Sequence, residues 1–293
     1  MSSSLSQTAF RAALVQMRAG RSVERNVADA LALINEAADK GAQYIQTPEC
    51  TTLMELEQPR LMAETKPESG NKALEAFTEA ARKRRIWLHI GSMGVKVGEK
   101  RLANRSYVIA PDGSIAARYD KIHMFDVDLG GGESYSESSN YQAGPSAMLT
   151  ELPWGRLGLT ICYDLRFPAL HRALAKAGAK FIAGPAAFTR TTGEAHWHTL
   201  LTARAIETGA FIFAAGQAGR HENGRETFGH SLIISPWGDI LAEGGVDPEV
   251  VLADVDAARS DQVRRKIPSL LHDREFDVVV AAAAKSAHLV HEQ

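Results

Sequence analysis

Three residues in separate segments of this 293-residue chain carry side chains suited to covalent hydrolysis. Cys162 follows the largely apolar residues 156–161, and Glu49 and Lys121 each come directly after a strand-like run. A free thiol has a pKa of about 8.5, so near neutral pH it needs a base and a nearby positive charge to act as a nucleophile. Glu49 is a suitable base and Lys121 a suitable cation. The three segments therefore predict cysteine-dependent hydrolysis of an amide or a nitrile.

Each of these residues also has an ordinary structural interpretation. Taken alone, Glu49 reads as an exposed loop glutamate, Lys121 as a solvated surface lysine and Cys162 as a small buried apolar side chain. Pro48 favours the chemical interpretation of its neighbour, because proline cannot continue a central strand and so places Glu49 at a strand end. Ligands of α/β sheets commonly bind at strand ends. We therefore expect the three side chains to meet in one pocket.

The elements that must position these residues alternate between strand and helix patterns. The sequence 111–113, Pro-Asp-Gly, has the turn chemistry of a hairpin between strands at 104–110 and 114–119. The glycine-rich residues 130–137 predict a long polar loop. Helical patterns cover residues 23–40, 71–84, 168–177 and 194–208. The alternation predicts an α/β fold.

The chain shows no linker and no fixed-period repeat, which predicts one domain. We expect that domain at 9–276, after a disordered N-terminus at 1–8 and before a C-terminal extension at 277–293. Hydrophobic residues make up 45% and charged residues 23%, a mixture typical of globular proteins with a large core.

Charge and cysteine content narrow the class of function. The formal net charge of −2 provides no basic field for nucleic acid, and no apolar run approaches the roughly 18 residues that span a bilayer. Two cysteines and an N-terminal sequence without a secretory pattern predict a cytoplasmic location. His196 and His198 make no convincing metal pair, and Gly130–Gly132 lacks the Lys-Ser/Thr of a phosphate-binding loop. We therefore expect no metal and no other cofactor.

The segments around Glu49, Lys121 and Cys162, in this order, resemble those of the nitrilase or carbon–nitrogen hydrolase superfamily. The resemblance runs over 9–276 and implies a Glu-Lys-Cys catalytic triad. It also implies a four-layer αββα sandwich that forms a homodimer or a higher homo-oligomer, often with C-terminal segments crossing the interface. In this family a second glutamate commonly supports the lysine; Glu137 is the best match and Glu133 a poorer one.

Three further residues near the nucleophile are candidates for substrate contacts. The backbone N–H of Tyr163, together with Lys121, is suited to stabilising an oxyanion. Arg166 is suited to a substrate carboxylate, with a structural ion pair to Asp164 as the alternative. His196 fits either the pocket lining or a helix cap.

Within the superfamily, residues 162–168, 195–197, 204–207 and 229–231 resemble the Nit subgroup, although Ala169 replaces a frequent glutamate. That subgroup contains the deaminated glutathione amidases and the ω-amidases, and the stretch 219–225 is closer to the former. The resemblance implies an amidase that converts a small linear carboxamide to a carboxylic acid and ammonia through a thioester, with deaminated glutathione preferred.

Other functions remain open. An ω-amidase acting on 2-oxoglutaramate or 2-oxosuccinamate is the main alternative, followed by an N-carbamoyl-amino-acid hydrolase or a nitrilase. A non-catalytic scaffold is a fourth interpretation, which the presence of all three triad residues disfavours.

Overall fold

The computed structural model of the protein describes residues 8–280. Within this range the helices are α1 (Val23–Asp39), α2 (Gln58–Glu64), α3 (Lys72–Arg84), α4 (Pro168–Lys176), α5 (Arg190–Thr208) and α6 (Ala258–Lys266). The first eight strands are β1 (Ala9–Gln16), β2 (Tyr44–Gln46), β3 (Trp87–Lys96), β4 (Leu102–Ile109), β5 (Ile115–Asp120), β6 (Asp126–Asp128), β7 (Ser134–Ser136) and β8 (Met148–Leu152). The remaining strands are β9 (Gly155–Leu159), β10 (Ala179–Ala183), β11 (Phe211–Ala214), β12 (Ala218–Arg220), β13 (Glu226–Phe228), β14 (Leu232–Ile234), β15 (Ile240–Glu243) and β16 (Glu249–Asp256).

Two six-stranded sheets form the centre of the fold. The first has the order β16-β1-β2-β3-β4-β5 and the second β15-β14-β11-β10-β9-β8. The parallel pairs β1–β2, β2–β3, β9–β10 and β10–β11 lie inside the sheets, and the outer pairs are antiparallel. Each parallel pair is joined through a helix, as parallel connections require. The sheets are thus mixed, with helices between consecutive inner strands.

The two sheets pack face to face through aromatic and aliphatic side chains. The ring of Phe10 on β1 meets Phe181 and Phe213 of the second sheet edge-on, with centroids 5.4 and 6.4 Å apart. Helices α1 and α3 cover the outer face of the first sheet, where Ile34 and Phe77 are fully buried. Helices α4 and α5 cover the second sheet. The four-layer αββα sandwich is therefore confirmed.

Strand β4 turns into β5 through the predicted hairpin, in which Gly113 takes the left-handed φ of +87° that a tight turn requires. Around Gly130–Gly132 the prediction of a long loop is wrong. There β6 pairs with β7 in a short antiparallel hairpin, so Val127 lies opposite Tyr135. The pairing satisfies backbone groups that an open loop would leave to solvent.

The predicted segments at the two ends of the domain lie partly outside the described residues. Thr8 donates a 2.8 Å hydrogen bond to Asp256, and residues 1–7 of the predicted disordered segment lie outside the described residues. Residues 277–280 of the predicted extension have no regular structure and are exposed, and 281–293 lie outside the described residues. The placement of this extension at a dimer interface stays a prediction. Among residues 8–280, no helix combines the length and hydrophobicity that crossing a bilayer requires.

Candidate active site

Three strand ends bring the predicted residues together. Glu49 follows β2, Lys121 follows β5, and Cys162 begins a 3₁₀ turn just after β9. The first two strands belong to one sheet and the third to the other, so the side chains meet where the sheets face each other. All three side chains line one cavity of about 350 Å³. The sequence-based expectation of a shared pocket therefore agrees with the geometry.

Lys121 is held between two carboxylates. Its Nζ donates to Glu49 Oε1 at 2.9 Å and to Glu137 Oε2 at 2.8 Å, and only 2% of the residue is exposed. Burial by itself lowers the pKa of the lysine, but the charges of Glu137 and Glu49 outweigh it and hold the pKa well above its ordinary value. At neutral pH the site therefore contains a fixed ammonium beside Cys162.

Glu49 is kept ionised by the hydrogen bonds around it. Its Oε1 also accepts from Asn104 Nδ2 at 3.0 Å, and its Oε2 accepts from the backbone N–H of Ala187 at 2.9 Å. Burial raises the pKa of this carboxyl, and the charge and hydrogen bond of Lys121 lower it, so that the net pKa lies below 4.5. The group is a carboxylate at neutral pH and is able to accept a proton.

Cys162 has a strained backbone at the start of its turn. Its φ is +47°, a left-handed conformation that costs a non-glycine residue about 1–3 kcal/mol and is concentrated at functional sites. Its N–H donates to the carbonyl of Pro185 at 2.9 Å, which anchors the turn. Burial and the negative charge of Glu49 raise the pKa of the Cys162 thiol well above its ordinary value. The resting group is therefore a thiol, and Glu49 is the carboxylate that hydrogen-bonds it.

Asp164 connects the turn of Cys162 to the segment of Lys121. One carboxylate oxygen accepts from Tyr119 Oη at 2.7 Å and from the Ile161 N–H at 2.8 Å. The other accepts from the His123 N–H at 3.1 Å and lies 2.6 Å from His123 Nδ1. Asp164 thus contacts residues on both sides of Lys121. Its hydrogen bonds run to these groups, and the ion pair with Arg166 that the sequence left open does not form.

The other predicted site residues differ in whether they contact Lys121 or line the 350 Å³ cavity. Glu137 contacts the lysine directly, whereas Glu133 accepts from Tyr135 Oη at 3.1 Å instead. Arg166 Nη2 lies 3.2 Å from His196 Nδ1, and neither residue is part of the wall of the 350 Å³ cavity.

Tyr163 is also absent from that wall. Its ring packs edge-on against Phe125, with centroids 5.2 Å apart. The predicted role of the Tyr163 backbone N–H as a donor does not depend on what the ring contacts, because that N–H directly follows Cys162 in the chain. This role stays a prediction.

Two residues at the site were not singled out from the sequence. Asn104 Nδ2 donates to Glu49 Oε1 and to Glu137 Oε1, both at 3.0 Å, and so bridges the two carboxylates. The signal that marks it is an asparagine inside a strand, since strands disfavour that residue. Arg225 lines the 350 Å³ cavity and belongs to the stretch 219–225, which resembles the deaminated glutathione amidases.

A second polar cluster lies on the surface. His198 Nε2 and His230 Nδ1 each lie 2.9 Å from Glu243 Oε1, and the three ligand-type atoms are within 4.8 Å of one another. The sequence considered His196 and His198 as the imidazole pair, whereas the fold brings His198 and His230 together. Their polar atoms are engaged with one another, and none of the three residues lines the catalytic cavity.

Residues 11–265 match the family model described as carbon–nitrogen hydrolase. The chain belongs to the carbon–nitrogen hydrolase family. It is 38% identical to the deaminated glutathione amidase of Yersinia enterocolitica, over 94% of this chain and 96% of that one. It is 34% identical to the omega-amidase of Homo sapiens, over 89% and 94% of the two chains. Among solved structures, the NitFhit protein of C. elegans superposes with a TM-score of 0.85 at 34% identity, over 92% of this chain and 66% of that longer one.

Membership of the carbon–nitrogen hydrolase family confirms several expectations. The protein is a hydrolase acting on carbon–nitrogen bonds, and its relatives are those of the Nit subgroup. The family match covers the strand ends that carry Glu49, Lys121 and Cys162, since all three lie within 11–265.

Proposed function

We propose that this protein is an amidase in which Cys162 is the nucleophile, Glu49 the general base and Lys121 the electrostatic stabiliser. The observation that carries the proposal is the contact among a buried carboxylate, a buried ammonium and a strained cysteine at one cavity. We further propose deaminated glutathione as the preferred substrate, which the 38% identity to an amidase of that name supports.

The first half of the reaction forms a thioester. Glu49 takes the thiol proton while Cys162 Sγ bonds to the amide carbon, and the carbonyl π electrons move to oxygen. The Lys121 ammonium and the Tyr163 N–H stabilise the oxyanion. Each such donor is typically worth about 10²–10³ in rate. When the tetrahedral intermediate collapses, the carbon–nitrogen bond breaks and Glu49 returns its proton to the departing amine.

The second half hydrolyses the thioester. Glu49 removes a proton from water, the water oxygen attacks the thioester carbon, and the carbon–sulfur bond breaks to release a carboxylic acid. Glu49 returns the proton to the departing sulfur, which restores the Cys162 thiol and the Glu49 carboxylate. The hydrogen bonds of Lys121 to Glu49 and Glu137 keep the ammonium in place through both halves. One carboxylate therefore serves as base and then acid in each half of the reaction.

The chemistry of the leaving group refines the expectation from the sequence. A primary carboxamide releases ammonia, as predicted. Deaminated glutathione carries a secondary amide at the bond beside its 2-oxo acyl part, so the amine released from it is a dipeptide. The predicted ammonia therefore applies to the ω-amidase substrates and not to the preferred one. This difference provides a direct way to separate the two activities.

Hydrolysis of 2-oxoglutaramate or 2-oxosuccinamate is the second candidate, supported by the 34% identity to the human omega-amidase. The inner cavity of about 350 Å³ adjoins an outer cleft of about 390 Å³, with Tyr135 and Arg225 lining both. The inner cavity is large enough for a short 2-oxo diacid acyl group, and the outer cleft provides room for a bulkier amine. This two-part shape favours the larger substrate over the primary carboxamides.

The test is a substrate panel with two readouts, release of the dipeptide thiol and release of ammonia. We expect kcat/KM for deaminated glutathione to exceed that for 2-oxoglutaramate by at least about tenfold, or about 1.4 kcal/mol of transition-state binding. Equal or faster turnover of 2-oxoglutaramate would reverse the assignment. An absence of turnover on every amide and nitrile would favour the scaffold. A cytoplasmic homodimer or higher homo-oligomer that acts on a small-molecule amide, with neither nucleic acid nor membrane as partner, completes the proposal.

A further inference from the structure

Arg225 is an unusual wall residue of the catalytic cavity. It lies between β12 and β13, and its guanidinium stands 5.0 Å from the centroid of the Tyr135 ring. Its Nη2 donates to the backbone carbonyl of Ala187. Its Nε is buried and has no hydrogen-bond partner among the described residues. The Arg225 guanidinium is therefore held at one edge by the Ala187 carbonyl and at one face by the Tyr135 ring, while its Nε donor has no partner among the described residues.

Arg225 is the cation of the cavity wall that makes no direct ion pair among the described residues. Lys121 is paired with Glu49 and Glu137, and the wall residue Glu55 is paired with Arg21 and Arg60, whose nearest atoms lie at 2.7 and 3.4 Å. Among residues 8–280, no carboxylate lies within 4 Å of the Arg225 guanidinium. The charge of Arg225 acts on Glu49 without a contact between them, so the guanidinium has no contacting carboxylate and can pair with an anionic group of a substrate.

The position of Arg225 suits an extended substrate. Together with Tyr135 it lines both the inner cavity of about 350 Å³ and the outer cleft of about 390 Å³. The other arginine of the outer cleft, Arg190, is paired with Glu194 and Glu226. Arg225 is thus the unpaired cation at the junction of the two spaces. A substrate that fills both spaces would therefore lie against Arg225.

We propose that Arg225 binds a carboxylate of the substrate and so selects carboxylate-bearing amides; this inference rests on the proposed amidase function. The planar guanidinium matches a carboxylate through parallel N–H donors, and the face of Tyr135 fixes its plane. Ala187 links this binding group to the general base, because its carbonyl accepts from Arg225 while its N–H donates to Glu49 at 2.9 Å. The anion is therefore positioned relative to the catalytic residues. The candidate from the sequence, Arg166, contacts His196 instead.

A binding experiment that needs no turnover tests the inference. In the full-length protein with Cys162→Ala, we measure the Kd of intact deaminated glutathione by calorimetry, with and without Arg225→Gln. We expect Arg225→Gln to weaken binding at least about tenfold. The matched control is Arg220→Gln, an exposed arginine on β12 of the same hairpin, for which Kd changes less than about twofold. No binding to the Cys162→Ala protein, or equal binding after Arg225→Gln, overturns the inference.

A second ligand identifies which carboxylate is bound. Deaminated glutathione has carboxylates on both its acyl and its amine part, whereas 2-oxoglutarate represents the acyl part alone. A matching loss for 2-oxoglutarate assigns Arg225 to the acyl carboxylate. An unchanged affinity for 2-oxoglutarate assigns it to the amine part.

Turnover separates a failure of this inference from a failure of the proposed function. With Cys162 intact, Arg225→Gln should lower kcat/KM for deaminated glutathione at least about tenfold more than for butyramide, which has no charge, and mainly through KM. Equal losses on the two amides would show that Arg225 only supports the fold of the site. If the wild-type protein hydrolyses butyramide but not deaminated glutathione, the substrate proposal fails, and the calorimetric result still decides the role of Arg225.

Discussion

Asp164 accepts a 2.7 Å hydrogen bond from the hydroxyl of Tyr119, and this bond joins the two sheets at the candidate active site. Tyr119 lies on β5, two residues before Lys121, and Asp164 lies two residues after Cys162. Tyr119 and Asp164 therefore connect the segment that carries the ammonium to the turn that carries the thiol. This buried bond is a positioning contact, and its loss should be visible in catalysis.

Tyr119→Phe should lower kcat by about tenfold, because Asp164 loses one of the donors that hold the nucleophile turn against β5. We expect the free energy of unfolding to fall by about 1–2 kcal/mol, the usual effect of removing one buried hydrogen-bond partner. Tyr107→Phe is the matched control, since Tyr107 Oη donates to Glu68 at 3.0 Å away from the cavity. Denaturant unfolding and steady-state kinetics should show similar stability losses but a loss of kcat in the first variant only. Equal kcat in both variants would leave Asp164–Tyr119 with a purely structural role.

Cys162→Ala should fold normally and lose at least about 10⁴ in kcat, because no other group in the site replaces the sulfur as nucleophile. Cys50→Ala is the internal comparison. Cys50 also lines the cavity, but burial together with the charge of Glu49 raises the pKa of its thiol to about 12. Both thiols are protonated at rest, but only Cys162 of the two hydrogen-bonds the Glu49 carboxylate that would take its proton, so the Cys50 variant should retain most activity. Wild-type-like rates in the Cys162 variant would refute the assigned nucleophile.

The pH profile of kcat/KM should be a broad plateau. The ammonium of Lys121 holds the pKa of Glu49 below its ordinary value, so its base form is present near neutral pH and activity falls only as pH drops through the lowered pKa. The pKa values of Cys162 and Lys121 lie well above their ordinary values, so the thiol and the ammonium lose their protons only in alkaline solution. A profile with an acid limb near pH 6.5 would instead indicate a histidine as the base.

Asn104→Leu should move the acid limb of that profile to higher pH. The amide donates to Glu49 and Glu137, and the loss of a donor to a carboxylate raises its pKa. We expect kcat at the plateau to fall about tenfold as well, because the two carboxylates lose their shared anchor. The measurement is kcat/KM against pH for the variant and the wild type. A lower rate with an unmoved acid limb would mean that Asn104 acts on position alone and not on the charge of Glu49.

Glu137→Gln should reduce kcat by about 10²-fold, because Lys121 loses the charge of one of its two carboxylate partners. Glu133→Gln is the comparison within the same hairpin, and it should cost less than about threefold, since Glu133 accepts from Tyr135 and does not reach the lysine. Steady-state rates for the two variants on one amide decide the matter. A larger loss from Glu133→Gln would reverse the assignment of the supporting carboxylate.

Much of the candidate site could be predicted from local sequence patterns. Pro48 ends a strand before Glu49, the turn at 111–113 returns the chain so that Lys121 follows β5, and the apolar residues 156–161 lead into Cys162. These signals depend on neighbours within a few residues, so the sequence alone determined which side chains stand at strand ends. The alternation of strands and helices likewise determined the α/β class. The resemblance of the segments added the sandwich and the role of Glu137.

Only the tertiary structure decided which side chains line the candidate active-site cavity together. Asn104 reaches Glu49 because β4 lies two strands away from β2 in the same sheet, and Arg225 reaches the cavity because a distant hairpin folds over it. Sequence spacing made Arg166, four residues beyond Cys162, one candidate for the substrate cation, and in the fold its side chain contacts His196. The physical reason is that strand order and the packing of two sheets set distances between residues far apart in the chain, and no local periodicity encodes them.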